Sequence, residues 1–328
     1  MDLLNYLHGG KNSKFEYYVS AYTALCTPRC ILRALRRHAL AKARGRKDWS
    51  EIESRLNWYN RLDSGKPFEC QEFKENSIAV RDQKKVHPTV YYLDSYRYAR
   101  AFDPDSRWIL KPGDVVTVPD APSIVKSRPL DCDNANSVLL NLDKVRHFVF
   151  LNDRKSFTEK KDMVIFRGAI CQYEGTSVKK VRYDFVKRYY DHPMCDVGGV
   201  DRDLTEYQAP KMTLRQHLDY KFIMALEGND VASNLKWVMS SNSIAVMPKP
   251  TCETWFMEGT LIPNYHYIEI KPDCSDLIER LEYYIAHPDE AQEIVRHAHE
   301  YVDRFRNRRR ERIISWLVLD RYFRLQKD

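Results

Sequence analysis

Apolar side chains at the start of the chain recur at helical steps. Tyr17, Tyr18, Tyr22 and Leu25, then Leu32, Leu35 and Leu40, predict helices over residues 15–62, broken by the turn signal Thr27-Pro28. From about residue 78 the period shortens. Ser77-Ile-Ala-Val80, Thr89-Val-Tyr-Tyr-Leu93 and Asp114-Val-Val-Thr-Val118 are β-rich runs between proline-bearing loops and predict strands. Further strands are predicted at Met163-Val-Ile-Phe166, which ends at Arg167-Gly168, at Tyr220-Lys-Phe-Ile-Met-Ala-Leu226, which ends at Glu227-Gly228, and at Ser243-Ile-Ala-Val-Met247. Helical repeats separate them, over 177–190 (Val178, Val181, Phe185, Tyr189) and 232–241. This alternation is the signature of an α/β fold with a parallel sheet covered by helices. An amphipathic region over 275–305, broken at His287-Pro288, and a helical tail around Ile313–Phe323 close the chain.

With 43% hydrophobic and 30% charged residues among 328, and only 11 Gly and 15 Pro, the chain is neither disordered nor collagen-like. Its length fits two medium domains better than one large one. No run approaches the roughly 18 to 20 apolar residues of a membrane span. Met1–His8 lacks the basic lead and apolar core of a signal peptide, so a cytoplasmic protein is expected. The eight scattered cysteines, Cys26, Cys30, Cys70, Cys132, Cys171, Cys195, Cys252 and Cys274, read as reduced thiols. A net charge of +7 permits an anionic substrate or membrane surface without demanding nucleic acid. Its basic stretches are Arg29, Arg33, Arg36, Arg37, Lys42, Arg44, Arg46 and Lys47, and the run Arg304–Arg312, which reads as solvated or membrane-facing.

There is no Gly-x-Gly-x-x-Gly, Walker loop, His-Glu-x-x-His or Gly-x-Ser-x-Gly, so the common dinucleotide, ATP, zinc-protease and esterase readings lack their motifs. Polar residues at strand exits remain. Ligands of an open parallel sheet lie beyond the carboxyl ends of its strands. Two exits, Phe166-Arg167-Gly168-Ala169 and Glu227-Gly228-Asn229-Asp230 running on to Lys236, each combine a glycine that admits a close ligand with a cation for phosphate. The next loop carries Glu253 and Glu258 beside Trp255 and Phe256, a set suited to ribose hydroxyls and a base or, equally, to interdomain packing. Asp120 stands between Pro119 and Pro122 at the end of a predicted strand. A carboxylate held there would suit proton abstraction from a hydroxyl, with Lys126 or Arg128 steadying it or meeting an anionic acceptor.

Several of these segments occur together in one family. Val118-Pro-Asp-Ala-Pro-Ser-Ile-Val-Lys-Ser-Arg-Pro129, Asn134-Ala-Asn-Ser-Val-Leu-Leu140, Lys144-Val-Arg-His-Phe148, Phe166-Arg-Gly168, Glu227-Gly-Asn-Asp-Val-Ala-Ser-Asn-Leu-Lys236 and Glu253-Thr-Trp-Phe-Met-Glu-Gly259 resemble glycosyltransferase family 90. That family includes lipopolysaccharide core-type sugar transferases and is related to eukaryotic protein O-glucosyltransferases. The resemblance spans about residues 85–320. It implies a GT-B architecture of two Rossmann-like domains facing a cleft, with a helical N-terminal segment and C-terminal helices. The corresponding boundaries are 1–75 (helical), 76–160 (acceptor side), 161–300 (UDP-sugar side) and 301–328 (a terminal helix packing back). It implies inverting transfer from a UDP-sugar, of glucose, galactose or xylose, to a glycan or glycolipid acceptor such as a lipopolysaccharide core, with no metal and no further cofactor. Asp120 is then the base, Arg167, Gly168, Ser233 and Lys236 hold the diphosphate, and Gly228 and Asn234 belong to the same donor-binding set. Glu253 and Glu258 serve the nucleoside end. Lys236 stands where eukaryotic members carry arginine, a substitution that alters bidentate phosphate binding. The missing signal and disulfide features favour a bacterial-type enzyme at the inner face of a membrane.

Two rivals stay open on the residues. A GT-A transferase would bind a metal through Asp103-Pro-Asp105, Asp131-Cys-Asp133 or Asp201-Arg-Asp203, triplets that an acid-rich chain produces by chance. A basic scaffold binding anionic lipid or nucleic acid would explain the charge but not the strand-exit loops.

Overall fold

The structure is a computed structural model that describes residues 10–63, 67–170, 178–202, 204 and 206–326. The Met1–His8 segment, Cys171 and Asp203 lie outside the described residues. The chain divides into two compact units, one of Met1–Ser13, Arg146–Pro250 and Glu258–Arg304, the other of Lys14–Val145, Thr251–Met257 and Phe305–Asp328.

The Lys14–Val145 segment opens with helices α1 (Lys14–Cys26), α2 (Arg29–Ala41), α3 (Trp49–Tyr59) and α4 (Gln71–Asn76). The antiparallel pair β1 (Ile78–Ala79) and β2 (Arg107–Trp108) brackets helix α5 (Thr89–Ala99). Strands β3 (Ser123–Val125), β4 (Ser127–Pro129) and β5 (Ser137–Leu139) follow, and the short helix α6 (Lys144–His147) ends the segment. Two of the expected strands are something else. Thr89–Leu93 opens α5, because Val90, Tyr91, Asp94, Ser95 and Tyr98 are buried on one helical face. Tertiary packing overrides the β preference of its aromatic and branched residues. Asp114–Val118 is irregular: Ser127 Oγ accepts from the Val115 N–H and donates to the Val115 carbonyl, both at 3.0 Å, and satisfies the backbone a ladder would have used. Strands in this unit pair in twos, β3 parallel to β5 and β4 antiparallel to a later strand, with no larger sheet among the described residues.

The other unit is built on one parallel sheet. Its strands are β6 (Lys161–Gly168), β7 (Cys195–Gly199), β8 (Tyr220–Met224), β9 (Ile244–Met247) and β11 (Ile268–Glu269), in spatial order β7-β6-β8-β9-β11. Helix α7 (Val178–Tyr189) connects β6 to β7, α8 (Leu214–His217) precedes β8, and α9 (Leu235–Met239) connects β8 to β9. Strands β8 and β9 are buried along their whole length, as the central strands of a parallel sheet are; the one charged residue of β8, Lys221, pairs with Asp162. Val164, Phe166, Phe222, Met224, Val246 and Ile268 form the core with Phe185 and Tyr189 of α7, and Phe166 meets Phe185 edge-on at 5.6 Å. Each such side chain contributes about 1.5–3 kcal/mol by leaving water. The α7 stripe is shifted from the expected one: Val181 is exposed, and Arg182 shares the inward face with Phe185, Val186 and Tyr189.

Strand β10 (Cys252–Thr254) returns to the first-described unit and pairs with β4. After α10 (Leu277–Ala286) and α11 (Pro288–Asp303), the chain ends there too, in α12 (Arg308–Arg324). Asn307 caps α12 by accepting from the Arg309 and Arg310 N–H groups, each at 3.1 Å. Its Ile313, Ile314, Trp316, Val318, Leu319, Tyr322 and Phe323 are buried. The run Arg304–Arg312 is therefore only partly a solvated face. Within it Glu311 takes a bidentate pair from buried Arg55 of α3, at 2.6 and 2.8 Å, and the Trp255 indole N–H at 2.6 Å. Among the described residues no helix is long and apolar enough to cross a membrane.

Glu311→Gln removes the carboxylate charge that faces Arg55 in a buried setting. A loss of about 3 kcal/mol is expected, read as a lower urea midpoint at unchanged slope; a change below about 0.5 kcal/mol would show that the pair does not anchor α12.

Candidate functional site

The strand order β7-β6-β8-β9-β11 places the topological switch between β6 and β8, whose crossovers leave in opposite directions. The crevice beyond their carboxyl ends is where open sheets of this order bind ligands. Arg182 occupies that position. Its Nε donates to the Glu227 carbonyl at 2.9 Å and Nη2 to the Leu226 carbonyl at 2.7 Å, both beyond β8. Nη1 reaches the Ala169 carbonyl beyond β6 at 3.4 Å. The guanidinium thus bridges the two strand exits through neutral acceptors. Partial burial lowers its pKa, while Asp201 and Glu227 act in the opposite sense. Gly228 lies against it: a Cβ there would come within 3.0 Å of Nη2. Ser233, exposed, and Asn234, whose amide donates to the Met224 carbonyl at 2.8 Å, continue the same loop.

Arg167 has a different setting from the one its sequence position suggests. It crosses from β6 to β7 and donates to the carbonyls of Phe166, Asp196 and Pro210 at 2.9, 2.8 and 3.1 Å, and to the Asp196 carboxylate. The Tyr220 hydroxyl donates to the other Asp196 oxygen. Burial would raise the Asp196 pKa, but the hydrogen bonds from Tyr220 and Arg167 win and hold it below the usual range. Burial, with the same carboxylate beside it, pushes the Tyr220 hydroxyl up to about 12. Gly168 faces the ring of Phe166, with no room for a Cβ.

Lys236 and Glu258 are brought together, in a fully buried ion pair at 2.6 Å. Glu253 is likewise buried, paired with Arg128 at 2.7 Å and accepting from the Trp58 indole at 2.8 Å. Trp255 and Phe256 are packing residues: Trp255 stacks on Tyr59 at 3.8 Å and Phe256 meets Phe305 at 4.8 Å. Lys126 is buried and pairs with Asp114. The two cations expected to steady Asp120 are thus committed to Asp114 and Glu253.

Asp120 itself is exposed, and the strand lies after it, beginning at Ser123. Its loop is braced at every carbonyl. Asn136 Nδ2 donates to Pro119 and Asp120 at 3.0 and 3.2 Å, Ser123 Oγ to Ala121 at 2.8 Å, and the buried Tyr322 hydroxyl to Pro122 at 2.7 Å. The result is a solvent-facing carboxylate on a braced backbone.

The acidic triplets serve local structure. Asp103 Oδ1 accepts from the Asp105 N–H and Asp133 Oδ1 from the Ala135 N–H, while Asp201 Oδ2 accepts from the Ile170 N–H. Among the described residues no group of His, Cys, Asp and Glu is arranged to hold a metal ion.

Sequence reasoning passed over Arg182. The available signal was an arginine three, four and seven residues before Phe185, Val186 and Tyr189, hence on the core-facing side of an amphipathic helix.

The family model described as glycosyl transferase family 90 matches residues 141–327. The O-glucosyltransferase LpsA of Dichelobacter nodosus is 36% identical over 319 residues, covering 95% of this chain and 96% of that protein.

Because the folded Asp196 pKa lies below its unfolded value of about 3.9, its contribution to stability is complete above that value and is lost as the pH falls through the folded pKa. Asp196→Asn is therefore expected to lower stability at neutral pH and to flatten the loss below about pH 4. Unfolding midpoints measured across that range check this, and parallel wild-type and variant curves would contradict it.

Proposed function

The chain belongs to glycosyltransferase family 90 and is a glycosyltransferase; from that premise we propose that it is an inverting enzyme of GT-B type transferring glucose from UDP-glucose to a hydroxyl of a lipopolysaccharide-type core glycan. The observation that carries the reading is Arg182 at the switch point of the parallel sheet, beside Gly228. A guanidinium there meets the diphosphate and offsets the charge on UDP as it leaves. Gly228 and Ser233 complete the phosphate contacts. Arg167 and Gly168 shape the end of β6, and the Lys236–Glu258 pair fixes the helix that follows the β8 loop. The choice of glucose is supported by the name of the LpsA relative.

Asp120 is assigned the base. Its carboxylate takes the proton of the acceptor hydroxyl as that oxygen bonds to the anomeric carbon from the face opposite UDP. The bond from that carbon to the phosphate oxygen breaks, and its electron pair leaves with UDP. Arginine supplies the countercharge, so no metal is required in this scheme.

Asp120→Asn is expected to cut transfer at least about 100-fold while UDP-glucose affinity stays within about twofold. Near-normal transfer would remove Asp120 from the mechanism. Arg182→Gln is expected to weaken UDP binding about tenfold or more, with the unfolding midpoint measured in parallel; unchanged affinity in a folded variant would move the diphosphate elsewhere.

A further inference from the structure

The two opening helices play no part in that chemistry, and they turn apolar side chains outward. On α1, Phe15, Val19, Tyr22 and Cys26 follow an i, i+4, i+7, i+11 spacing and form one stripe. All four are exposed, Phe15 by 78% and Val19 by 50%. The inward side holds buried Ala21 and Tyr17, whose hydroxyl donates to the Val90 carbonyl of α5.

Helix α2 inverts the usual arrangement of polar and apolar faces. Its Arg29 donates to the Tyr96 hydroxyl at 2.9 Å, Arg33 to the Phe102 carbonyl at 3.4 Å and Arg36 to Asp320 at 3.2 Å, so three arginines face the protein. Ile31 and Leu35, one turn apart, face solvent at 49% and 50% exposure. No residue of α2 is buried. Arginines that sequence alone offered to phosphates are thus spent internally, and the outward face keeps aliphatic side chains.

The charge around that face is lopsided. Residues 14–47 hold nine Lys and Arg and one acid, Glu16, a balance of +8; with +7 for the whole chain, the other 294 residues sum to −1. Lys14, Arg37, Lys42, Arg44 and Lys47 are exposed, and Lys85 reaches over the Tyr22 ring at 5.8 Å. Exposed aliphatic and aromatic groups bordered by cations with long apolar stems match a surface that is apolar in depth and anionic at its boundary.

We propose that the outward faces of α1 and α2 dock this protein on an anionic lipid bilayer. Phe15, Val19, Ile31 and Leu35 enter the acyl boundary, and the flanking lysines and arginines meet lipid phosphates. The inference rests on this surface alone and is independent of the sugar-transfer assignment.

The test is flotation of the full chain with phosphatidylcholine vesicles, with and without phosphatidylglycerol, at about 0.1 M and about 0.5 M salt. Affinity for the anionic vesicles is expected to exceed that for neutral ones by about tenfold or more and to fall at high salt. Ile31→Ser with Leu35→Ser, and separately Arg37→Glu with Lys42→Glu, each lower it about tenfold, with unfolding midpoints and transfer to a water-soluble acceptor unchanged. Absence of vesicle binding, equal binding to neutral and anionic vesicles, or self-association in solution that Ile31→Ser with Leu35→Ser abolishes would each overturn the proposal.

Discussion

The buried pair of Arg128 and Glu253 fixes how the chain is stitched together. The two residues face each other across the antiparallel strands β4 and β10, with both side chains fully excluded from solvent. Burying two charges costs more than a single ion pair returns, unless hydrogen bonds satisfy the remaining groups. Here they do: Arg128 also donates to the Ser137 and Trp58 carbonyls, and the Trp58 indole donates to Glu253. Burial lowers the arginine pKa and the facing carboxylate opposes that shift. Because a one-residue slip would turn Glu253 to the opposite face of its strand, the pair also sets the register of β10. A unit assembled from three distant stretches of chain needs such a constraint. Trp255, stacked on Tyr59 and bonded to Glu311, extends it to α3 and α12.

The short linking stretch is anchored twice. Glu253 is held in one unit by Arg128, and Glu258 in the other by Lys236. Carboxylates near aromatic residues after a strand suggest ribose recognition in a sequence, but here they are the fixed points of the fold. The binding chemistry proposed above rests on a residue that no motif marks, Arg182, which is held by main-chain carbonyls at the β6 and β8 exits. Its hydrogen bonds go to neutral carbonyls, so neither Asp201 nor Glu227, which act on it through their charge, takes a guanidinium N–H through its carboxylate among the contacts described.

Much of this was legible in the sequence where one physical rule governs a segment. The runs expected as strands at Met163–Phe166, Tyr220–Leu226 and Ser243–Met247 fall on strands of a single parallel sheet, the second ending two residues early, at Met224. The opening helices and the break at Pro28 followed from spacing. Thr89–Leu93 misled because its aromatic and branched residues suit either period, and packing decided. Asp114–Val118 misled because one serine side chain replaced a ladder partner. The roles of Glu253, Glu258, Lys126 and Lys236 depend on which charge each one meets far away in sequence, as between Arg128 and Glu253, 125 positions apart, and periodicity carries no information about that.

The central claim is that the exits of β6 and β8 form a diphosphate site built on arginine. Calorimetric titration of the purified chain with UDP in the presence of EDTA tests it most directly. The account predicts saturable binding with a Kd on the order of micromolar, undiminished by the chelator. Absence of binding, or binding that returns only with a divalent cation, would contradict it.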